Sequence, residues 1–127
     1  MVEKFRKIFA TIKNEKGGVF IFALMKMDEL TDKWTVVLSA PWAVEGDAEV
    51  FKYILDLIKT QLLPEEVSTV ARISIFPQTD HLIEMLSKYA SGASISGKIN
   101  GNQIHEGYII EANSNPSTIK PVEQLSL

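Results

Sequence analysis

Between residues 19 and 76 the apolar positions fall into short runs of two different periods. Two nearly unbroken runs, 19–27 and 34–40, lie a hairpin's distance apart. Residues 48–63 then repeat apolar side chains with a helical period, and a third run covers 70–76. Short apolar runs bounded by turn residues read as strands and the periodic stretch as a helix. The expected order here is strand, strand, helix, strand, with at least one sheet face buried under a helix.

The flanking segments extend this pattern. Val2, Phe5, Ile8, Phe9 and Ile12 follow the i, i+3, i+4, i+7 rule, so 2–14 reads as an amphipathic helix that Gly17-Gly18 stops. The run 19–27 is apolar on both faces, which predicts that both are covered or that one meets a partner. Asp28-Glu29-Leu30-Thr31-Asp32-Lys33 is a polar turn of hairpin length. Pro41 ends the second strand because it has no N–H for the ladder.

Asp47 is placed to cap the central helix, whose apolar stripe is Val50, Phe51, Ile54, Leu55, Leu57, Ile58 and Leu62. Pro64 ends that helix, and Glu65 and Glu66 suit one further short helical turn. In the third strand Ile73 and Ile75 share one face, and Arg72 and Ser74 the other. Thr79 or Asp80 caps a short helix reaching Ala90, with Leu82, Ile83, Leu86 and Tyr89 inward. Residues 95–99 and 104–112 form a hairpin about Asn100-Gly101, a dipeptide suited to positive φ. The order α-β-β-α-β-α-β-β therefore predicts an α+β fold. It is a single domain over 1–112 with a mixed, mostly antiparallel sheet of about five strands, covered by helices, two of them crossovers. Residues 113–127 contain Pro116, Pro121 and small polar side chains and read as an extended or flexible tail.

With 46% hydrophobic and 23% charged residues the 127-residue chain has globular composition, and a chain of this size buries roughly two-thirds of its unfolded surface, enough for a core without staples. The lack of cysteine excludes disulfides, thiolate metal sites and cysteine nucleophiles. No apolar run approaches the ~20 residues that span a bilayer, and the first residues lack the continuous apolar stretch of a signal peptide. The expectation is a cytoplasmic protein. The net charge of −3 argues against a dedicated nucleic-acid binder, although residues 1–16 carry +3 and the rest −6. That basic helix reads as a sheet-covering element with solvated lysines, not as a membrane anchor.

Candidate chemistry is sparse. Gly92-Ala93-Ser94-Ile95-Ser96-Gly97-Lys98 satisfies the phosphate-loop spacing, but Ile99 stands where a magnesium-binding hydroxyl belongs and no strand–loop–helix context surrounds it. A strand after a helix-ending Gly92 is the stronger reading. The same segment misses the esterase elbow by one residue, and His81 and His105 have no convincing acid partner. His81 and Glu84 share a helix face without completing a ligand set. The acids Asp28, Glu29, Asp32 and Glu45, Asp47, Glu49 read as solvated loop and helix-start groups. Trp42, after Ser39-Ala40-Pro41, suits either a lid on the core or the wall of a pocket.

No catalytic, metal or cofactor set is assigned. The leading expectation is a non-catalytic cytosolic protein-interaction module that forms a homodimer, self-association or a protein partner being the binding mode and Trp42 with the tail's Ile119, Val122 and Leu125 the candidate contact or pocket residues. The alternative is a small-molecule-binding protein or small enzyme with a pocket near Trp42. Nucleotide binding at residues 92–98 is the third option.

Overall fold

The computed structural model describes residues 1–27, 32–99 and 101–113. Its elements are α1 (Val2–Glu15), β1 (Ile21–Met27), β2 (Trp34–Ser39), α2 (Ala48–Gln61), α3 (Pro64–Val67), β3 (Val70–Ile75), α4 (His81–Leu86), β4 (Ser94–Ile99) and β5 (Asn102–Ala112). The five strands form one mixed sheet in the order β3-β2-β1-β5-β4. Only the β2–β3 pairing is parallel; β1–β2, β1–β5 and β4–β5 are antiparallel. The α+β class and the element order are those expected from the sequence, and α3 is the short turn announced by Pro64-Glu65-Glu66.

β1 lies at the centre, which explains its two-sided apolar pattern. Phe22 and Leu24 face the cluster formed with Phe5, Ile8 and Ile12 of α1 and Ile54 and Ile58 of α2. Ile21, Ala23 and Met25 face the opposite cluster, where α4 contributes Leu82, Ile83 and Leu86. One sheet face therefore carries two long helices and the other carries α4. Lys4 of α1 pairs with Glu66 of α3, tying the helical layer together. The Lys4 ammonium, helped by the Leu63 N–H, holds the Glu66 carboxyl below its ordinary value.

Local chemistry sets the helix ends. Asp47 Oδ1 accepts from the Glu49 N–H at 2.9 Å and Asp80 Oδ1 from the Leu82 N–H at 2.9 Å, so both capping expectations hold, the second for Asp80 rather than Thr79. Gly17 at φ 106 turns the chain off α1 in a conformation that a Cβ would strain.

Three local expectations need correction. The helix expected to reach Ala90 stops at Leu86, where the Ser87 hydroxyl bonds the Glu84 carbonyl at 2.6 Å and the following N–H groups bond only three residues back. Tyr89 consequently leaves the inner face and is 38% exposed. Phe51, placed in the core by its spacing, stands at the rim, 44% exposed. The β3–β4 connection is also no parallel crossover. It spans from one sheet edge to the other, and the pairings make β3 and β4 run in opposite directions.

Candidate functional site

Two grooves flank α2, one on each side of its exposed ridge. The first, of about 590 Å³, is lined by Lys16, Trp42, Asp47, Glu49, Val50, Lys52, Tyr53 and Asp56. Two turns build it. The Ala43 N–H bonds the Ala40 carbonyl at 3.1 Å, reversing the chain at Pro41 and turning the indole of Trp42 toward the end of α1. A second turn, with Gly46 at φ 83 and the Asp47 N–H on the Val44 carbonyl, delivers the chain to the α2 cap.

Both aromatic side chains in this groove are held at their polar tips. Trp42 Nε1–H donates to the Gly18 carbonyl at 2.9 Å, and the Tyr53 hydroxyl donates to Glu15 Oε1 at 2.6 Å. Their rings meet edge to face with centroids 6.4 Å apart. Burial, reinforced by the Glu15 carboxylate, pushes the Tyr53 phenol well above its ordinary pKa. The Lys16 ammonium lies 5.0 Å from the Tyr53 ring centroid. Trp42 is thus both half-buried against the α1–α2 cluster and part of a groove wall.

The second groove, of about 240 Å³, runs between α2 and β3 and is lined by Phe51, Leu55, Ile58, Val67, Val70, Ala71, Arg72 and Ile73. One charged side chain among eight makes it the more apolar of the two. Among the described residues β3 has a neighbour strand on one side only, and its Val70, Ile73 and Ile75 are half-buried.

The remaining sequence candidates are placed as follows. Residues 94–99 are strand β4, and the Gly92 N–H is taken by the Ile109 carbonyl at 2.7 Å, so the phosphate-loop spacing lies in sheet backbone. His81 opens α4 and His105 lies on β5, both exposed. Among the described residues no three His, Asp or Glu side chains converge as a metal-holding group. No helix there is long and apolar enough to cross a membrane. Ile119, Val122 and Leu125 lie outside the described residues, as do Asp28, Glu29 and Asn100.

Sequence reading reached Trp42 but not Tyr53, Glu15 or Lys16, and not the exposed edge of β3. The Tyr53–Glu15 bond joins residues 38 apart in the chain, and no local spacing announces it. Phe51 had a signal, since its position widens the α2 stripe beyond what one sheet face can cover. Comparison with protein-family models, with curated proteins and with solved structures finds no match to this chain.

Proposed function

We propose that this protein is a non-catalytic interaction module that pairs with a second copy of itself through the outer edge of β3. The observation that carries this reading is the contrast between the two sheet edges. At β4 the register shifts between Ile95 and Gly97, Gly97 sits at φ 106, and Ser96 and Lys98 are exposed. A bulge, a glycine and a lysine are the devices by which edge strands resist pairing. β3 carries a single charge, Arg72, and is regular in its pairing from Arg72 to Ile75.

Backbone direction favours a particular register. The Phe76 N–H bonds the Leu38 carbonyl, so from Arg72 onward, past the register shift at the start of the strand, even-numbered residues turn their backbone groups to β2, while Ile73 and Ile75 turn theirs to the open side. An antiparallel pairing centred on Ile73 joins those outward groups. It sets Arg72 opposite the partner's Ser74, not opposite a second arginine, and Ala71 opposite the partner's Ile75. Phe51 and Leu55 of the two copies then close over the joined strands. With one receptive edge per copy the assembly closes as a two-fold dimer and does not propagate.

Light scattering coupled to size exclusion, over a wide range of concentration, tests this. The expected mass is twice 14.2 kDa, and Phe51→Glu or Ala71→Lys, both at exposed positions, returns the protein to a single chain. A wild-type mass of one chain at the highest concentration overturns the proposal.

A further inference from the structure

The Trp42 groove has a chemistry separate from the dimer edge. Its inner corner is two aromatic rings set edge to face, 6.4 Å apart, Tyr53 held by a hydrogen bond to Glu15 at the end of α1 and Trp42 by one to the Gly18 carbonyl just beyond that helix. Rings held this way are preorganised, so a ligand need not freeze them on binding. The mouth carries the carboxylates of Asp47, Glu49 and Asp56 against the ammonium groups of Lys16 and Lys52. Glu15, behind Tyr53, adds a further negative charge. The last carbonyls of α1 also give this end of the groove a negative potential.

Within that corner the protein already seats a cation of its own. Lys16 rests over the Tyr53 ring at 5.0 Å, and among the described residues it pairs with no carboxylate. A second lysine–aromatic contact at the far end of the sheet differs in this respect. There Lys26 lies 4.7 Å from the Trp34 ring centroid and is also paired with Glu106 at 3.7 Å. Trp34 is only 7% exposed. That contact is closed, whereas the Lys16 contact opens onto a groove of about 590 Å³, within the size range of small-ligand sites.

We infer that the Trp42–Tyr53 corner is a binding site for an alkylammonium group, which enters by displacing Lys16 from the face of Tyr53. Lys16 is an internal competitor, so the site takes a ligand only when the incoming cation is held better than the tethered one. Aromatic faces recognise alkylammonium groups by the attraction of the ring quadrupole for positive charge, and methylated nitrogens lose less hydration on entering such a corner. The carboxylate rim adds long-range attraction, so binding weakens as salt is raised.

Lys16→Gln is the decisive variant. It removes the competitor and one positive charge while leaving both aromatic tips hydrogen-bonded, so it is expected to bind cations more tightly. Titrations followed by amide and indole NMR shifts would use tetramethylammonium, n-butylammonium and a short lysine-containing peptide, with acetate as the anionic control. The expected result is saturable shifts at Trp42 and Tyr53 with the cations only, tightened about threefold or more in Lys16→Gln and weakened about tenfold in Tyr53→Leu. Lys7→Gln on the exposed face of α1 should match wild type. A peptide that binds more tightly than n-butylammonium assigns the site to a lysine of a partner protein. Equal affinities assign it to free amines. If Tyr53→Leu does not fold, the gain in Lys16→Gln still decides. Equal or weaker cation binding in Lys16→Gln, or saturation by acetate at these residues, overturns the inference.

Discussion

The Tyr53 hydroxyl on α2 donates to Glu15 Oε1, on the last residue of α1, at 2.6 Å. This contact fastens the two helices that share one sheet face, and it does so through a phenol that must keep its proton to donate. Burial and then the Glu15 carboxylate raise its pKa. Unfolded chains titrate tyrosine near 10. Below about pH 10 the stabilisation is therefore complete, because both states are protonated there. Above that the folded state holds a proton the unfolded state has lost, so stability falls as pH rises toward the raised native value. Tyr53→Phe cannot show this dependence. The expected outcome is a wild-type advantage in urea midpoint that is constant up to about pH 10 and shrinks beyond it. An advantage that persists unchanged at higher pH would refute the assignment.

Thr35 and Ser39 are 2% and 1% exposed, and neither hydroxyl finds a hydrogen-bond partner among the described residues. They share a face of β2 with Val37, which packs in the cluster beneath α4. A buried hydroxyl without a partner carries its desolvation cost with nothing to offset it. Thr35→Val and Ser39→Ala should each raise stability by about 1 kcal/mol, or roughly 4 °C in Tm for a chain of this size. Thermal unfolding measures this directly, and a loss of stability on either substitution would mean the hydroxyl is bonded.

Gly107 on β5 lies opposite Ile95 on β4. A Cβ at Gly107 would sit 2.7 Å from Ile95 Cγ1 and 3.4 Å from Ile104 Cγ2, and the first contact is closer than carbon atoms tolerate. Gly107→Ala is expected to cost about 1–3 kcal/mol by overpacking. In the background of Ile95→Ala, which removes the obstructing atoms, the same substitution should cost much less. Urea denaturation of the two single variants and the double variant measures the coupling, and strict additivity would contradict the packing account.

The dimer reading and the cation site make opposite demands on α2, which allows them to be separated. Phe51 and Tyr53 lie on different flanks of that helix, in different grooves. Phe51→Glu should therefore abolish pairing and leave butylammonium binding intact, while Lys16→Gln should tighten butylammonium binding and leave pairing intact. Loss of both properties in either variant would show that the two grooves do not act independently.

The periods along the chain determined the elements themselves. The Phe5, Ile8, Ile12 spacing made α1, the Ile54, Ile58 spacing made α2, and the unbroken run in β1 foretold a strand covered on both faces. These signals are legible because a helix repeats every 3.6 residues and a strand every two, whatever the rest of the chain does. Asp47, Asp80 and Pro41 were legible for a similar reason, since capping and the missing proline N–H act within a few residues.

What the tertiary structure alone decided is adjacency between distant segments. Nothing in the run from Asn102 to Ala112 says that it inserts beside β1 and leaves β4 outermost. Nothing local says that Tyr53 meets Glu15, and the wide α2 stripe does not by itself say that Phe51 is the member left at the rim. Those outcomes depend on sheet order and helix placement, which are set when many weak apolar contacts are satisfied together. The same cooperativity places Trp42 half in the core and half in a groove, because its turn is anchored by a carbonyl at Gly18, twenty-four residues away in the chain.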